Sequence, residues 1–405
     1  MNGALLVQLN EMVEDIDVEP RSEALFGRRI LLGISGGIAA VETVRLGREL
    51  RRHGAELHVI MTEAATRIIS PLAVEWATRT AVTVNWTADM PQLGSFDGVL
   101  LAPATRNLLA RHVNGIMDSP LLMALTSARS DGTPILFVPS MHDDLFDDPV
   151  TSELLDRVES QGAFSICTDS QEGRRKQPNP EAIVGRLCHL VNSKEPGRLR
   201  VVVTLGGNRA PMDAVREIRN TSSGATGFAI SDHLYRMGHH VTCIVGTHDP
   251  AIPHLEHTMI SATTHSAMSD AIISTAEDRP DAWVLAAAVL DYQPVEQPDK
   301  VASGQPELTI RLEPTEKLID SVVALSPDSI VIGFKLEVGV DDATLVRRGR
   351  RQLERTGAKA VIANHLRSLT GELPRAFIVG GDDHEPLADV HAVVLAIERV
   401  LMATH

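Results

Sequence analysis

Two stretches of this chain run from continuous branched apolar residues straight into paired glycines: Arg28-Arg-Ile-Leu-Leu-Gly-Ile-Ser-Gly-Gly-Ile-Ala-Ala and Leu199-Arg-Val-Val-Val-Thr-Leu-Gly-Gly. An alternating strand has one wet face, whereas an uninterrupted Val/Ile/Leu run is buried on both, as in a parallel sheet covered by helices. The same signature marks Leu57-His-Val-Ile-Met-Thr, Gly98-Val-Leu-Leu-Ala-Pro and Pro134-Ile-Leu-Phe-Val-Pro in the first half. In the second it marks His240-Val-Thr-Cys-Ile-Val, Trp283-Val-Leu-Ala-Ala-Ala, Ser329-Ile-Val-Ile-Gly-Phe and Ala360-Val-Ile-Ala-Asn, with Ala376-Phe-Ile-Val as a late edge strand. Helical periodicity falls between the strands: Ile38, Val41, Val44 and Leu50 return about once per turn before Gly54, and Ile230, Leu234 and Met237 share a face. The expected fold class is α/β, two doubly wound Rossmann-like domains with mainly parallel sheets and ligands at the carboxyl ends of the strands.

A polar stretch, Ser193-Lys-Glu-Pro-Gly-Arg, separates the two patterns and has the chemistry of a domain boundary. The expected division is an extension over 1–27, a first domain over 28–192, a linker over 193–198 and a second domain over 199–405. The extension carries six acidic residues and no basic residue before Arg21, so it does not read as a signal peptide. Within it, Leu5, Leu6, Leu9 and Met12 suit a short amphipathic helix or a frayed arm. A formal charge of −15 argues against a nucleic-acid partner, which needs clustered Lys and Arg, but a few local donors can still hold one small anion. No apolar run is long enough for a membrane span, and Cys167, Cys188 and Cys243 form no CxxC pair, so a cytoplasmic location is expected.

In the second half, Gly206 and Gly207 permit a tight turn, and Thr221-Ser222-Ser223-Gly224 lies just before a helix, where free N–H groups and hydroxyls suit phosphate. Either element alone reads as an ordinary turn or N-cap, and neither forms a GxGxxG fingerprint. Together with Gly-Gly-x-Arg209, Asn220-Thr-Ser-Ser-Gly, Ala287-Ala-Val-Leu-Asp-Tyr, Asp299-Lys300, Gly333-Phe-Lys-Leu-Glu337 and Ala363-Asn364, however, they resemble the phosphopantothenate–cysteine ligase family over about 199–400. In many bacteria that enzyme is the C-terminal half of a bifunctional coenzyme A biosynthesis protein.

The resemblance implies nucleotidylation of a carboxylate followed by amide formation with cysteine, using CTP or ATP and Mg²⁺. It places Asn220 at the acyl-nucleotide intermediate, Arg216 at its onward conversion and Lys300 at the phosphates. Gly206, Gly207, Ser222, Ser223, Gly224, Asp291, Phe334 and Lys335 would face the nucleotide; no metal ligand is assignable. Departures are Ala225 where a basic residue is usual, Glu217 where an aromatic is common, a thinned lysine stretch at Lys300-Val-Ala-Ser, and an Asp291–Lys300 spacing one residue shorter than the usual bacterial form.

The first half resembles the flavin-dependent cysteine decarboxylase half of the same bifunctional protein, with a flavodoxin-like fold. Ser35-Gly-Gly-Ile-Ala-Ala, Met61-Thr-Glu-Ala-Ala-Thr, Ala102-Pro-Ala-Thr-x-Asn107 and Asn114-Gly-Ile-Met-Asp carry the likeness. If FMN is retained, Ser35, Gly36, Gly37, Thr62, Thr105 and Asn107 are the implied cofactor residues. The decarboxylase chemistry looks degenerate. The family histidine is absent from Asp89-Met-Pro-Gln-Leu93, the Pro-Ala-Met-Asn motif reads Pro139-Ser-Met-His142, and the flap is cut to Thr168-Asp-Ser-Gln-Glu-Gly-Arg-Arg, with Cys167 outside its usual setting. His142 reads as a loop residue in a solvated acidic run, and Arg347-Arg-Gly-Arg-Arg as a solvated helix face. The first expectation is thus an acid–amine ligase acting on small molecules, with a homo-oligomer implied by resemblance. The alternatives are a paralogous ligase joining a different acid and amine, or a non-catalytic flavoprotein-like assembly subunit.

Overall fold

Apolar strands capped by glycine turns build two sheets of the same central plan. The computed structural model describes residues 17–88, 94–253, 255, 257–295, 299–300, 307–371, 374–381 and 383–403. The chain divides into two compact units, Met1–Asn192 and Ser193–His405. The expected amphipathic stretch at Leu5, Leu6, Leu9 and Met12, and the segment Asp89-Met-Pro-Gln-Leu93, lie outside the described residues.

In the first unit, β1 (Arg29–Ile34) leads through a 3-10 turn (Ile38–Glu42) into α1 (Thr43–Arg52). Then come β2 (Glu56–Met61), α2 (Glu63–Thr66), α3 (Pro71–Thr78), β3 (Val82–Thr83), β4 (Gly98–Ala104), α4 (Arg106–Val113), α5 (Pro120–Ser130) and β5 (Ile135–Pro139). The unit closes with β6 (Met141–His142), α6 (Asp143–Phe146), α7 (Pro149–Ser160), β7 (Phe164–Ser165), β8 (Ser170–Gln171), β9 (Arg174–Arg175) and α8 (Pro180–Asn192). The main sheet is wholly parallel in the order β3-β2-β1-β4-β5-β7. This is the Rossmann order rather than the 2-1-3-4-5 of flavodoxin. The two-residue β3 decides it, and so short a strand leaves no apolar run to read.

Leu31, Val99, Leu101, Ile135 and Phe137 face α4, α5 and α7, burying Leu108, Leu121, Leu125, Leu154 and Val158. On the other face, Ile30 meets Leu187 and Val191 of α8 around Gly98. Each such fully buried Leu or Phe is worth roughly 1.5–3 kcal/mol, which is why both faces are covered. The α1 stripe differs from expectation: Ile38 and Val41 are 77% and 51% exposed, and Leu46, Gly47 and Leu50 are the inward face. The tighter 3-10 turn has three residues per turn, so it shifts the phase before the α-helix begins.

Residues Ala24 and Leu25, at the end of the extension expected over 1–27, are buried. The segment is tied to the end of α1 by Arg21 N–H to Arg52 O and Leu25 N–H to His53 O, both at 2.8 Å. Beneath it Ser22 Oγ meets His53 Nδ1 at 2.6 Å, and Arg21 and Arg52 pair with Glu49 at 2.9 and 3.1 Å. Burial alone would raise the Glu49 carboxyl. The hydrogen bond with His53 and the charges of Arg21, His53 and Arg52 outweigh it and hold the group down at about 2.

The second unit begins with β10 (Arg200–Leu205), the hairpin β11 (Arg209–Pro211) and β12 (Glu217–Arg219), α9 (Ala225–Arg236), β13 (His240–Val245), β14 (Thr258–Ser261), α10 (His265–Ala276) and β15 (Ala282–Leu285). A second hairpin, β16 (Tyr292–Pro294) and β17 (Leu312–Pro314), precedes α11 (Leu318–Leu325), β18 (Ile330–Glu337) and α12 (Asp342–Thr356). The chain ends with β19 (Ala360–His365), β20 (Ala376–Gly380), β21 (Asp383–Leu387) and α13 (Val390–Met402). The sheet order is β14-β13-β10-β15-β18-β19-β20-β21, parallel except for the last two pairings. Thus β20 is internal, not an edge. Gly381, at φ +53°, turns the chain back so that the polar β21 covers it.

One face carries Phe228, Ile230 and Leu234 of α9 with Val393 and Ile397 of α13, and the other Met268, Ile272, Leu318 and Val322 around Trp283. Among the described residues no helix is long and apolar enough to cross a membrane.

Candidate functional site

Both sheets reverse strand order beside their first strand, between β1 and β4 and between β10 and β15. Open α/β sheets bind ligands outside the carboxyl ends at such switch points, where diverging connections leave a crevice. At the second switch, Gly206 sits at φ +79°, and a Cβ there would lie 2.6 Å from Thr247 O. Gly207 and Thr247 exchange both backbone N–H···O bonds at 2.7 Å, and the Thr247 hydroxyl donates to Gly207 O at 3.0 Å. Across the crevice Ala288 N–H donates to Gly206 O at 2.8 Å, and Asn208 N–H to Ala288 O at 3.0 Å.

Asn220 is threaded into this frame. Its N–H donates to Asn208 O at 3.1 Å, and its side-chain Nδ2 donates to Ala288 O at 3.0 Å. Gly224 then turns the chain at φ +79° into α9, where Gly227 lets the helix lie on β10: an added Cβ would come within 2.3 Å of Leu205 Cβ. Ser222 Oγ accepts from Gly224 N–H and Ser223 Oγ from Ala225 N–H, each at 3.4 Å, so their hydroxyl protons stay available to an anion. Gly206, Gly207, Asn220, Ser222, Ser223 and Gly224 therefore form one contiguous wall.

The other expected residues stand further out. Arg216, on the turn of the β11–β12 hairpin, pairs with the buried Asp213 at 3.5 Å. Asp291 is exposed and contacts the Lys317 ammonium. Lys335 Nζ lies 3.2 Å from Glu337, a carboxylate it shares with Arg348. Phe334 packs against the core, and Lys300 is exposed with no partner among the described residues. Residues 301–306, which follow Lys300, lie outside the described residues.

At the first switch, Ser35 is turned inward. Its hydroxyl donates to Pro103 O at 2.7 Å and accepts from Thr105 N–H at 2.9 Å, and the residue is 1% exposed. Its proton is spent on the fold, where it joins β1 to β4 and places Thr105. A Cβ on Gly36 would lie 2.5 Å from Ala64 Cβ, and one on Gly37 3.4 Å from Thr105 Cγ2. Thr62 and Thr105 cap α2 and α4 by accepting from Ala65 and Leu108 N–H at 3.3 and 3.4 Å. Asn107 is exposed on the first turn of α4. His142 ends β6, paired with Arg174 of the short flap hairpin.

Residues 19–192 match the model described as Flavoprotein, and residues 197–383 the DNA/pantothenate metabolism flavoprotein C-terminal domain. The Coenzyme A biosynthesis bifunctional protein CoaBC of Thermococcus kodakarensis is 38% identical over 371 residues, covering 89% of this chain and 91% of its own. The chain belongs to the CoaBC family. The CoaBC proteins of Methanocaldococcus jannaschii and Mycolicibacterium smegmatis are 30% and 29% identical, covering 85% and 88% of this chain and 85% and 90% of their own.

A CoaBC flavoprotein half implies a flavin, and the first cradle suits the phosphate of FMN. Two glycines leave no side chain in the way, and Thr62 and Thr105 keep a hydroxyl proton each after capping their helices. For Mg²⁺ the described residues present no group of three or more His, Cys, Asp or Glu. A magnesium ion often keeps one or two protein carboxylates and takes its other ligands from phosphates and water.

Thr247 and Lys317 fall in none of the sequence motifs, and Ala288 only as a spacer in the Ala-Ala-Val-Leu-Asp run, although each touches an expected residue. Of the three, Thr247 has a local signal: Gly246 follows β13, and a Cβ there would lie 2.3 Å from Gly207 O.

Proposed function

We propose that the second half joins 4′-phosphopantothenate to cysteine through an acyl-nucleotide, using CTP or ATP with Mg²⁺. The observation that carries this reading is Asn220, hydrogen-bonded through its backbone to Asn208 and through its side chain to Ala288, so that it bridges both sides of the β10/β15 switch. In the first step a carboxylate oxygen attacks the α-phosphorus, the bond to the β-phosphate bridging oxygen breaks, and pyrophosphate leaves. In the second the cysteine amine attacks the acyl carbon, the C–O bond to the nucleotide breaks, and the nucleoside monophosphate leaves with the amine proton passing to solvent.

The chain's own groups serve these steps by holding charge. Gly206 and Gly207 let backbone approach the ligand, Ser222 and Ser223 offer hydroxyl protons, and Arg216 and Lys300 supply fixed positive charge where oxygens crowd. Asn220 is held by its backbone and Nδ2 bonds, and that rigidity aligns the acyl group. Mg²⁺ would reach the site on the nucleotide phosphates and neutralise part of their charge.

The first half, in this reading, holds FMN at Gly36, Gly37, Thr62 and Thr105 and serves assembly without the ordinary decarboxylation. Supporting it are His142 in place of the substrate asparagine and a flap reduced to the hairpin β8–β9. The chain works in the cytoplasm as a homo-oligomer, and its three cysteines form no disulfide.

Pyrophosphate release with CTP or ATP, Mg²⁺, 4′-phosphopantothenate and cysteine tests the ligase. Release that disappears in Lys300→Ala supports it. Release only with another acid indicates a paralogous ligase, and none with any acid leaves the assembly subunit. Release of CO₂ from 4′-phosphopantothenoylcysteine would overturn the claim for the first half, and light scattering reads the oligomer.

A further inference from the structure

The Lys317 ammonium contacts the Asp291 carboxylate beside the second switch, although 26 residues separate them in sequence. The side chains are 51% and 64% exposed. An ion pair that wet contributes little to stability, so stability does not explain how firmly the two backbones are joined. Thr315 N–H donates to Asp291 O at 3.0 Å, and its hydroxyl donates to Leu290 O at 2.6 Å. Pro314 stands opposite Tyr292 in the β16–β17 pair, and His265 Nε2 meets Glu316 O at 2.9 Å. Residues 314–317 are therefore fixed one after another, and the ammonium is delivered to a defined place on the rim of the crevice.

Apart from Lys300, that rim is short of cations. Helix α9 opens on Ala225, the formal charge is −15, and Lys335, Arg209 and Arg216 each face a carboxylate, Glu337, Glu217 and Asp213 respectively. The geometry points to Lys317 as a phosphate-binding cation of the ligase site, held by Asp291 until a phosphate group takes the carboxylate's place. An ammonium carries three donors on a flexible stem, so it exchanges one oxygen partner for another without backbone movement. A phosphate dianion brings more charge to that exchange than a carboxylate does. Asp291, once released, can accept only from hydroxyl or amide N–H groups of the ligand, since the phosphate itself has no proton to donate.

This assignment rests on the ligase reading. Both the acid and the nucleotide carry phosphate, and separate kinetic arms tell them apart. In the full chain, Lys317→Gln raises the KM of one phosphate-bearing substrate about ten- to a hundred-fold, the scale of a charge-assisted contact. The kcat stays within about threefold, Lys317→Arg restores most of the loss, and the thermal midpoint does not move. The substrate whose KM shifts is the one whose phosphate Lys317 binds.

Unchanged KM for both substrates overturns the assignment, as does a fall confined to kcat. A wild-type chain that releases no pyrophosphate sinks the ligase reading and leaves this one to calorimetric titration with the nucleoside triphosphate and with 4′-phosphopantothenate. There, a tenfold or greater loss of affinity for either in Lys317→Gln supports the assignment, and equal affinities, or no binding by the wild type, refute it.

Discussion

The two paired-glycine turns start alike and end differently. Ser35-Gly36-Gly37 passes at once into helix, with Gly37 at its N-terminus, and is closed by a side chain, the Ser35 hydroxyl bridging to Pro103 and Thr105. Leu205-Gly206-Gly207 passes instead into a further extended segment locked by backbone to Thr247 on one side and Ala288 on the other, and the helix waits until Gly224. A strand ending in glycine thus specifies a close approach of backbones but not what approaches. The first turn is compact and the second opens a longer wall, a difference that suits a small anion at the one and a larger ligand at the other.

The largest expected difference comes from filling these turns. Gly206→Ala places a Cβ 2.6 Å from a backbone oxygen at φ +79°. It is expected to cost about 4 kcal/mol, read as lost hydrogen-exchange protection in β10 and β13. Retained protection there would dissolve the distinction between the turns. The acid behaviour of the buried Glu–His pairs comes next. Glu49 ionises well below an unfolded glutamate, so its contribution is present above the unfolded value and is lost as pH falls from about 4.5 through about 2. The loss is roughly 3 kcal/mol, and Glu49→Gln should flatten an acid titration of the first half. In the second half, burial opposes ionisation of Glu398, but the His233 hydrogen bond and charge lower its pKa, so the same sign is expected there.

Gly36→Ala is expected to cost less, about 2 kcal/mol, because Gly36 lies outside the left-handed region and only the overlap with Ala64 is added. Its readout is loss of the flavin's visible absorbance after purification; full colour would remove Gly36 from the cradle. Smallest are Thr105→Val and Thr247→Val, each about 1 kcal/mol. The first should weaken flavin binding alone and the second nucleotide binding alone, by fluorescence and calorimetry; crossed effects would contradict two separate sites.

The strands that anchor both sites are legible because β4, β5 and most of β10 are buried along their length. What escapes the sequence is set by contacts distant in the chain or by local phase. Ile38 and Val41 look inward because a 3-10 turn cannot be told from an α-helix by spacing. The bonds of the Ser35 hydroxyl to Pro103 and Thr105 are hidden because both partners lie far along the chain. Lys317 is hidden because a hairpin of short polar strands folds it back on Asp291. The Asn220 motif is legible as a motif, but its bond to Ala288 depends on the crossover between β10 and β15.

The reversal at Gly381 has a consequence for how copies of this chain meet. The wider sheet finishes on Asp383-His384-Glu385-Pro386, four exposed residues that include two carboxylates and one position without an N–H. A margin of that kind discourages a foreign strand from adding to the ladder, so this border of the sheet stays quiet even at high protein concentration.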